Sequence, residues 1–77
     1  MKVRLESTTK VVELIINGHA VPARIWEGIT DNGIACHAYI TRIAVSYTLE
    51  AKEFERDLQE QRTPSALIEA IPTRLVI

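Results

Sequence analysis

The strongest constraint on the fold of this chain is the Asn17-Gly18 pair, which separates two runs of β-branched and apolar residues. Asn-Gly readily adopts the positive φ angles that a two-residue hairpin turn requires, so it predicts two antiparallel strands. Pairing outward from this turn predicts three cross-strand pairs, namely Leu14–Val21, Val12–Ala23 and Lys10–Ile25.

This hairpin has one apolar face and one mixed face, because side chains alternate along a strand. The apolar face consists of Val12, Leu14, Ile16, Val21, Ala23 and Ile25. The mixed face carries Val11, Glu13, Pro22, Arg24 and Trp26. Since Pro22 has no backbone N–H to donate, the second strand is expected to lie near an edge or a bulge at that point.

A second turn is predicted at Asp31-Asn32-Gly33. With Asn32-Gly33 as the two-residue loop, the predicted pairs are Trp26–Tyr39, Ile25–Ile40 and Arg24–Thr41. This register places Arg42 on the apolar face opposite Ala23, which a bulge near Thr41 or the end of the sheet would relieve. A turn at Asp31-Asn32 is the alternative, and it would shift the pairing.

The first 46 residues are therefore interpreted as strands, and the pattern changes after Tyr47. Residues 49–62 are rich in good helix formers, and Thr48 is a suitable cap. A narrow apolar stripe of Ala51, Phe54 and Leu58 predicts that this helix packs along one side only.

A second, shorter helical segment is predicted at residues 65–70, with Thr63 as its cap and Pro64 at its first position. Pro72 ends it, and residues 73–77 are predicted to form a last strand, added to the sheet edge or packed across it. The prediction is a single α+β domain over residues 1–77. It comprises a three-stranded antiparallel meander, an amphipathic helix, a short helical segment and a C-terminal strand.

Composition excludes several classes of protein. The 77 residues carry a formal net charge of -1, so no basic excess indicates nucleic-acid binding, and no apolar run is long enough to span a membrane. Cys36 is the only cysteine and no secretory signal is present, so we expect a cytoplasmic protein. A chain this short has a marginal core, which favours oligomerisation.

No constellation of residues indicates catalysis, a metal or a cofactor, so we expect a non-enzymatic protein with no small-molecule substrate. An enzyme that uses Cys36 or His37 is a weaker alternative. His19 lies beside the first turn, and the adjacent Cys36 and His37 are expected to point to opposite faces of a strand. The helix carboxylates are interpreted as a solvated face. The three glycines are isolated and form no phosphate-binding loop.

The most informative feature is the mixed face of the predicted sheet. In the favoured register it brings together five candidate interaction residues: Arg24, Trp26, His37, Tyr39 and Thr41. Trp, Tyr and Arg are enriched at binding hot spots, which favours a protein partner or self-association. Single-stranded nucleic acid stacking on the same face is the less favoured alternative. Coverage of this face by the terminal strand or the short second helix of the chain itself is the other alternative.

Two segments, residues 21–28 and 33–44, resemble small uncharacterised proteins encoded in phage and prophage genomes of Gram-negative bacteria. The resemblance continues through Phe54-Glu55, Leu58-Gln59-Glu60, Pro64 and residues 71–75. It implies a phage-associated setting. It implies no defined activity and no functional residue.

Overall fold

The computed structural model describes residues 1–46 and 48–77, which form a four-stranded sheet with two short helices. The strands are β1 (Val3–Ile16), β2 (His19–Thr30), β3 (Ala35–Ile40) and β4 (Arg74–Val76). A 3-10 turn at Thr48–Glu50 leads into α1 (Ala51–Leu58), and α2 spans Ala66–Glu69. The strand order is β3-β2-β1-β4, in which β4 runs parallel to β1 and the other pairs are antiparallel.

The first hairpin has the predicted turn and the predicted register on either side of it. Asn17 and Gly18 have φ angles of 51° and 80°, and Leu14–Val21 and Val12–Ala23 are opposite each other. Hydrogen-bonded and non-hydrogen-bonded pairs alternate outward from the turn, and Val21 and Ala23 belong to hydrogen-bonded pairs with β1. Pro22 lies between them, so its backbone nitrogen faces away from β1. β3 ends before it reaches Pro22, so the missing N–H interrupts no ladder.

A β-bulge changes the pairing further along, and the predicted Lys10–Ile25 pair is wrong. The register shifts between Ser7 and Val11, so that Ser7 lies opposite Trp26 and Val11 opposite Arg24. Thr8 lies within this shift and is fully buried. Its hydroxyl donates to the Ile25 carbonyl at 2.6 Å and accepts from the Lys10 N–H at 3.2 Å, which stabilises the bulge.

The second hairpin has a three-residue loop, so both predicted two-residue loops are wrong. The Thr30 N–H donates to the Ile34 carbonyl, and the Gly33 N–H donates to the Thr30 carbonyl. Gly33 has a φ of 79°, which is typical of the last position in a three-residue hairpin loop. The observed pairs are Ile25–Tyr39, Trp26–Ala38 and Arg24–Ile40, one residue away from the prediction.

This register removes the predicted conflict at Arg42, because β3 ends at Ile40 and residues 41–46 form no strand. Tyr47 and the side chain of the predicted cap Thr48 lie outside the described residues. The N-cap position of α1 is occupied by Glu50.

The first helix ends at Leu58, four residues before the predicted end, and Arg62 instead forms an isolated bridge to the edge of β1. The Arg62 N–H donates to the Ser7 carbonyl, and its own carbonyl accepts from Thr9. A helical Arg62 could not make these bonds to the edge of β1. The second helix begins at Ala66 with Ser65 at its N-cap position, so the predictions of Thr63 as its cap and Pro64 as its first residue are wrong.

The core lies on one face of the sheet, which we call the core face. Its buried apolar residues are Val12, Leu14, Ala23, Ile25 and, from α2, Ile68. Leu58, at the end of α1, lines a groove with Trp26 on the opposite face, which we call the outer face. The connection between the helices therefore passes over the edge of β1.

The C-terminal strand adds to the sheet edge, which was one of the two predicted arrangements. Leu75 lies beside Leu14, and the Ile77 N–H donates to the Ile15 carbonyl.

The position of Gly28 in the middle of β2 requires glycine, because a Cβ atom there would collide with the Arg4 carbonyl of β1. No helix in the described part of the chain is long and apolar enough to cross a membrane.

Candidate interaction surfaces

The one-residue difference in register divides the predicted interaction surface between two faces of the sheet. Arg24 and Trp26 lie on the outer face, whereas His37 and Tyr39 lie on the core face. Thr41 follows β3 and lines the same outer groove as Trp26. The prediction that all five residues share one face is therefore wrong, since a slip of one residue moves every side chain of β3 to the other side.

The outer groove has a volume of about 290 Å³ and combines aromatic, aliphatic and basic side chains. Trp26 is half-buried in it, and Leu58 approaches from the end of α1. The Arg24 guanidinium donates to the Thr8 carbonyl at 2.8 Å, so it stabilises the bulge from this side. The Arg42 side chain also lines this groove.

The core face carries exposed apolar residues beside β3, where α2 leaves it partly uncovered. We define the β3 apolar surface as Ile29, Ala35, His37, Tyr39 and Leu67. Ile29 lies opposite Ala35, and Leu67 lines one groove together with Ala35 and His37. Leu67 is 83% exposed and Ile29 is 50% exposed. Exposed apolar residues grouped in this way are typical of an interaction site.

His37 and Tyr39 form the aromatic part of the β3 apolar surface. Their ring centroids are 5.4 Å apart at an interplanar angle of 82°, which is an edge-to-face arrangement. The His37 Nε2 atom lies 3.2 Å from the Tyr39 hydroxyl. Both side chains are exposed, so this pair presents a hydrogen-bonding edge as well as an apolar surface.

β3 is the terminal strand of the sheet, and within residues 1–46 and 48–77 no backbone hydrogen bond joins its free edge to another segment. The opposite side of the sheet differs, because the edge of β1 is covered by β4 and by the backbone of Arg62. An exposed strand edge presents unpaired N–H and C=O groups that can pair with another chain.

Glu27 is a buried carboxylate that the sequence analysis did not single out. Its side chain is 9% exposed, and it forms an ion pair with the Arg62 guanidinium at 2.6 Å. It also accepts hydrogen bonds from the Ser65 backbone N–H at 2.9 Å and the Ser65 hydroxyl at 2.8 Å. The sequence contains a signal for its burial: Glu27 lies two residues after Ile25 and four after Ala23, and alternate residues of a strand share one face.

These contacts set the protonation state of Glu27. Burial raises the pKa of its carboxyl, but the Ser65 hydrogen bonds and the Arg62 guanidinium lower it by more, so the pKa lies below its ordinary value. The carboxylate is therefore charged at neutral pH and fully engaged by its partners. It fastens the start of α2 to the centre of the sheet, and we assign it a structural role.

Cys36 and His37 are adjacent on β3 and have different neighbours, since Cys36 lies opposite Gly28 and His37 opposite Glu27. Their side chains point to opposite faces of the strand. Among residues 1–46 and 48–77, no three His, Cys, Asp or Glu side chains are grouped closely enough to hold a metal ion.

Comparison with known proteins gives no relative for this chain: no protein family, curated protein or solved structure matches it.

Proposed function

We propose that this protein is a non-enzymatic protein-interaction module that binds its partner through the β3 apolar surface. The observation that carries the proposal is the group of exposed residues Ile29, Tyr39 and Leu67 beside an open strand edge. The sequence predicted an interaction through one face carrying both Trp26 and Tyr39. Because these two residues lie on opposite faces of the sheet, we assign the interaction to the β3 apolar surface instead. The partner is a host protein, a phage protein or a second copy of the chain, and the setting is a phage-derived protein in the cytoplasm.

The extent of the molecular surface supports a bound partner. A compact monomer of 8.7 kDa is expected to expose about 4,700 Å². This chain exposes 6212 Å², which is roughly 1,500 Å² more. Its radius of gyration is 13.7 Å, whereas a compact chain of this length is expected to have about 11.5 Å. Such a chain gains stability when a partner covers part of its surface.

The charge of the surface favours protein over nucleic acid. β3 contains no Lys, Arg, Asp or Glu, and the chain as a whole has a formal net charge of -1. Nucleic-acid interfaces are rich in basic residues that neutralise phosphates. A protein partner needs only apolar contact and main-chain hydrogen bonds here.

The test compares two equivalent substitutions, Leu67→Glu and Leu49→Glu. Both side chains are strongly exposed, so neither substitution should unfold the chain, but only Leu67 belongs to the β3 apolar surface. A photo-crosslinking phenylalanine analogue replaces Tyr39 in each background, and the adducts formed in cells are separated by mass. We expect protein adducts that Leu67→Glu abolishes and Leu49→Glu preserves.

Equal adduct yields in the two backgrounds, or no protein adduct from position 39, would contradict the proposal. The identity of the adduct then separates a second copy of the chain from another protein. The genes that neighbour this one test the phage setting independently.

A second candidate function is binding of single-stranded nucleic acid in the outer groove. The observation that favours it is the presence of Trp26, Arg24 and Arg42 along one groove. Bases would stack on Trp26 and phosphates would contact the Arg42 guanidinium. Its test is a gel shift with a short oligonucleotide, in which binding should fall steeply with salt; absence of binding at low salt eliminates it.

A further inference from the structure

We propose that the partner of the β3 edge is a second copy of this chain, related by a two-fold axis, and that the two β3 strands pair antiparallel. This inference rests on the proposed function and specifies its partner. It joins the two sheets into one continuous sheet with β3 and its symmetry mate at the centre. Isologous pairing of this kind closes on itself, so it yields a dimer.

The open edge of β3 has a regular set of backbone groups. The Thr30 N–H donates to the Ile34 carbonyl, so the next residue of β3 that exchanges hydrogen bonds with β2 is Cys36. Pairing then alternates along the strand. The residues whose backbone N–H and C=O groups point away from β2 are Ala35, His37 and Tyr39.

β3 lacks the Lys, Pro, charged side chains and bulges that protect many edge strands. Natural edges are protected by Lys, Pro, inward-pointing charges or bulges. β3 reads Ala-Cys-His-Ala-Tyr-Ile, and its pairing with β2 is continuous from Ala35 to Ile40. The edge of β1 differs from the edge of β3, because Arg62 and β4 form backbone hydrogen bonds with it.

The chemistry of β3 suits pairing with its own copy. An antiparallel two-fold places His37 opposite the His37 of the second copy and Ala35 opposite Tyr39, so every outward donor meets an outward acceptor. No Lys, Arg, Asp or Glu side chain is placed opposite a like charge, because the strand contains none. The two β3 apolar surfaces then lie side by side on one face.

The area also fits a second copy. Homodimer interfaces that hold protomers together permanently bury about 2,000–5,000 Å² in total, or about 1,000–2,500 Å² from each chain. The excess of roughly 1,500 Å² that this chain exposes over a compact monomer falls in that range.

The experiment measures the mass of the purified 77-residue chain by sedimentation equilibrium across a range of micromolar concentrations. His37→Pro removes one outward N–H of β3, and His37→Lys keeps the backbone but places two like charges opposite each other. Neither substitution removes a bond to β2. The matched controls are Val76→Pro and Val76→Lys, because Val76 is 82% exposed on β4, at the other edge of the sheet.

We expect a dimer for the natural sequence and for both Val76 variants. Both His37 variants should weaken the dimer by at least about tenfold in dissociation constant, with an unchanged far-ultraviolet circular dichroism spectrum. If His37→Pro loses its circular dichroism signal, His37→Lys decides the result. A natural sequence that stays monomeric, or a dimer that His37→Lys leaves intact, overturns the pairing.

The outcomes also separate this inference from the proposed function. A monomeric chain that still forms Leu67-dependent adducts with another protein refutes pairing between copies and supports the interaction module. A monomeric chain with no such adduct refutes both.

Discussion

Glu27 connects the centre of the sheet to a segment more than 30 residues later in the sequence. Its carboxylate lies at the core face of β2, while its partners Arg62 and Ser65 precede and begin α2. Breaking a buried charged pair leaves an uncompensated group, which is more costly than the pair is stabilising. The contacts of this one side chain therefore help to hold residues 62–65 against the sheet.

Replacement of Glu27 tests this role through pH dependence. We expect Glu27→Gln to lower the free energy of unfolding at pH 7 by about 2–4 kcal/mol, because the amide cannot pair with the guanidinium. Since the folded pKa lies below the ordinary value of 4.5, the carboxylate's contribution is complete above that value and is lost as pH falls through the folded pKa. The difference between the two proteins should therefore shrink in acid.

Urea titrations at a series of pH values measure this difference. Glu6→Gln is the matched control, because the Glu6 carboxylate is exposed and lies 3.6 Å from the same guanidinium. It should change stability by no more than about 0.5 kcal/mol. A Glu27→Gln variant that differs from the natural sequence by the same amount at every pH would refute the assignment.

At the scale of elements, α2 depends on the sheet for its stability. It spans four residues, far fewer than an isolated helix needs. Ile68 is its buried residue and the point at which it enters the core, with Ile71 packed nearby. The helix thus forms because the sheet offers an apolar site for Ile68 and a carboxylate at its start.

Truncation of Ile68 tests this dependence. Ile68→Ala should lower the free energy of unfolding by about 2–4 kcal/mol, because it leaves a cavity between α2 and the sheet. Hydrogen exchange should show the amides of Ala70 and Ile71 losing protection, since they donate to carbonyls of α2. The exposed Leu67→Ala, studied at low protein concentration, should leave both unchanged. Loss of protection in β1 and β2 with α2 unaffected would contradict this view.

At the scale of the whole molecule, the chain combines a small core with a large exposed surface. Five buried apolar residues form the core of the described chain, and a small domain with such a core gains much of its stability from association. Burial in a dimer would be coupled to folding of each protomer, so stability and chain concentration are linked.

This linkage predicts a concentration-dependent melting temperature. A tenfold rise in chain concentration should stabilise the folded dimer by about 1.4 kcal/mol and raise the melting midpoint by several degrees. His37→Lys should melt at a lower temperature than the natural sequence at each concentration, because its dimer is weaker. Differential scanning calorimetry measures both, and a natural sequence with a constant midpoint would count against association.

Much of the fold follows from the sequence, because several of its determinants are local. The Asn17-Gly18 turn, the alternation along β1 and β2, and the Pro64 and Pro72 boundaries depend on the conformational preferences of neighbouring residues. The interaction residues are harder to predict. Their grouping depends on the register of β3, and a single additional loop residue moves His37 and Tyr39 to the face opposite Trp26.

The sequence by itself determined the first hairpin, the helical segments and a C-terminal strand, since backbone sterics and side-chain alternation act within a few residues. Only the tertiary structure decided the bulge at Thr8, the early end of α1 and the site of Glu27. Each depends on a bond between distant residues, such as Thr8 to Ile25, Arg62 to Ser7 or Ser65 to Glu27. Such bonds form only once the chain has brought polar groups together out of water, where an unpaired donor or acceptor is costly.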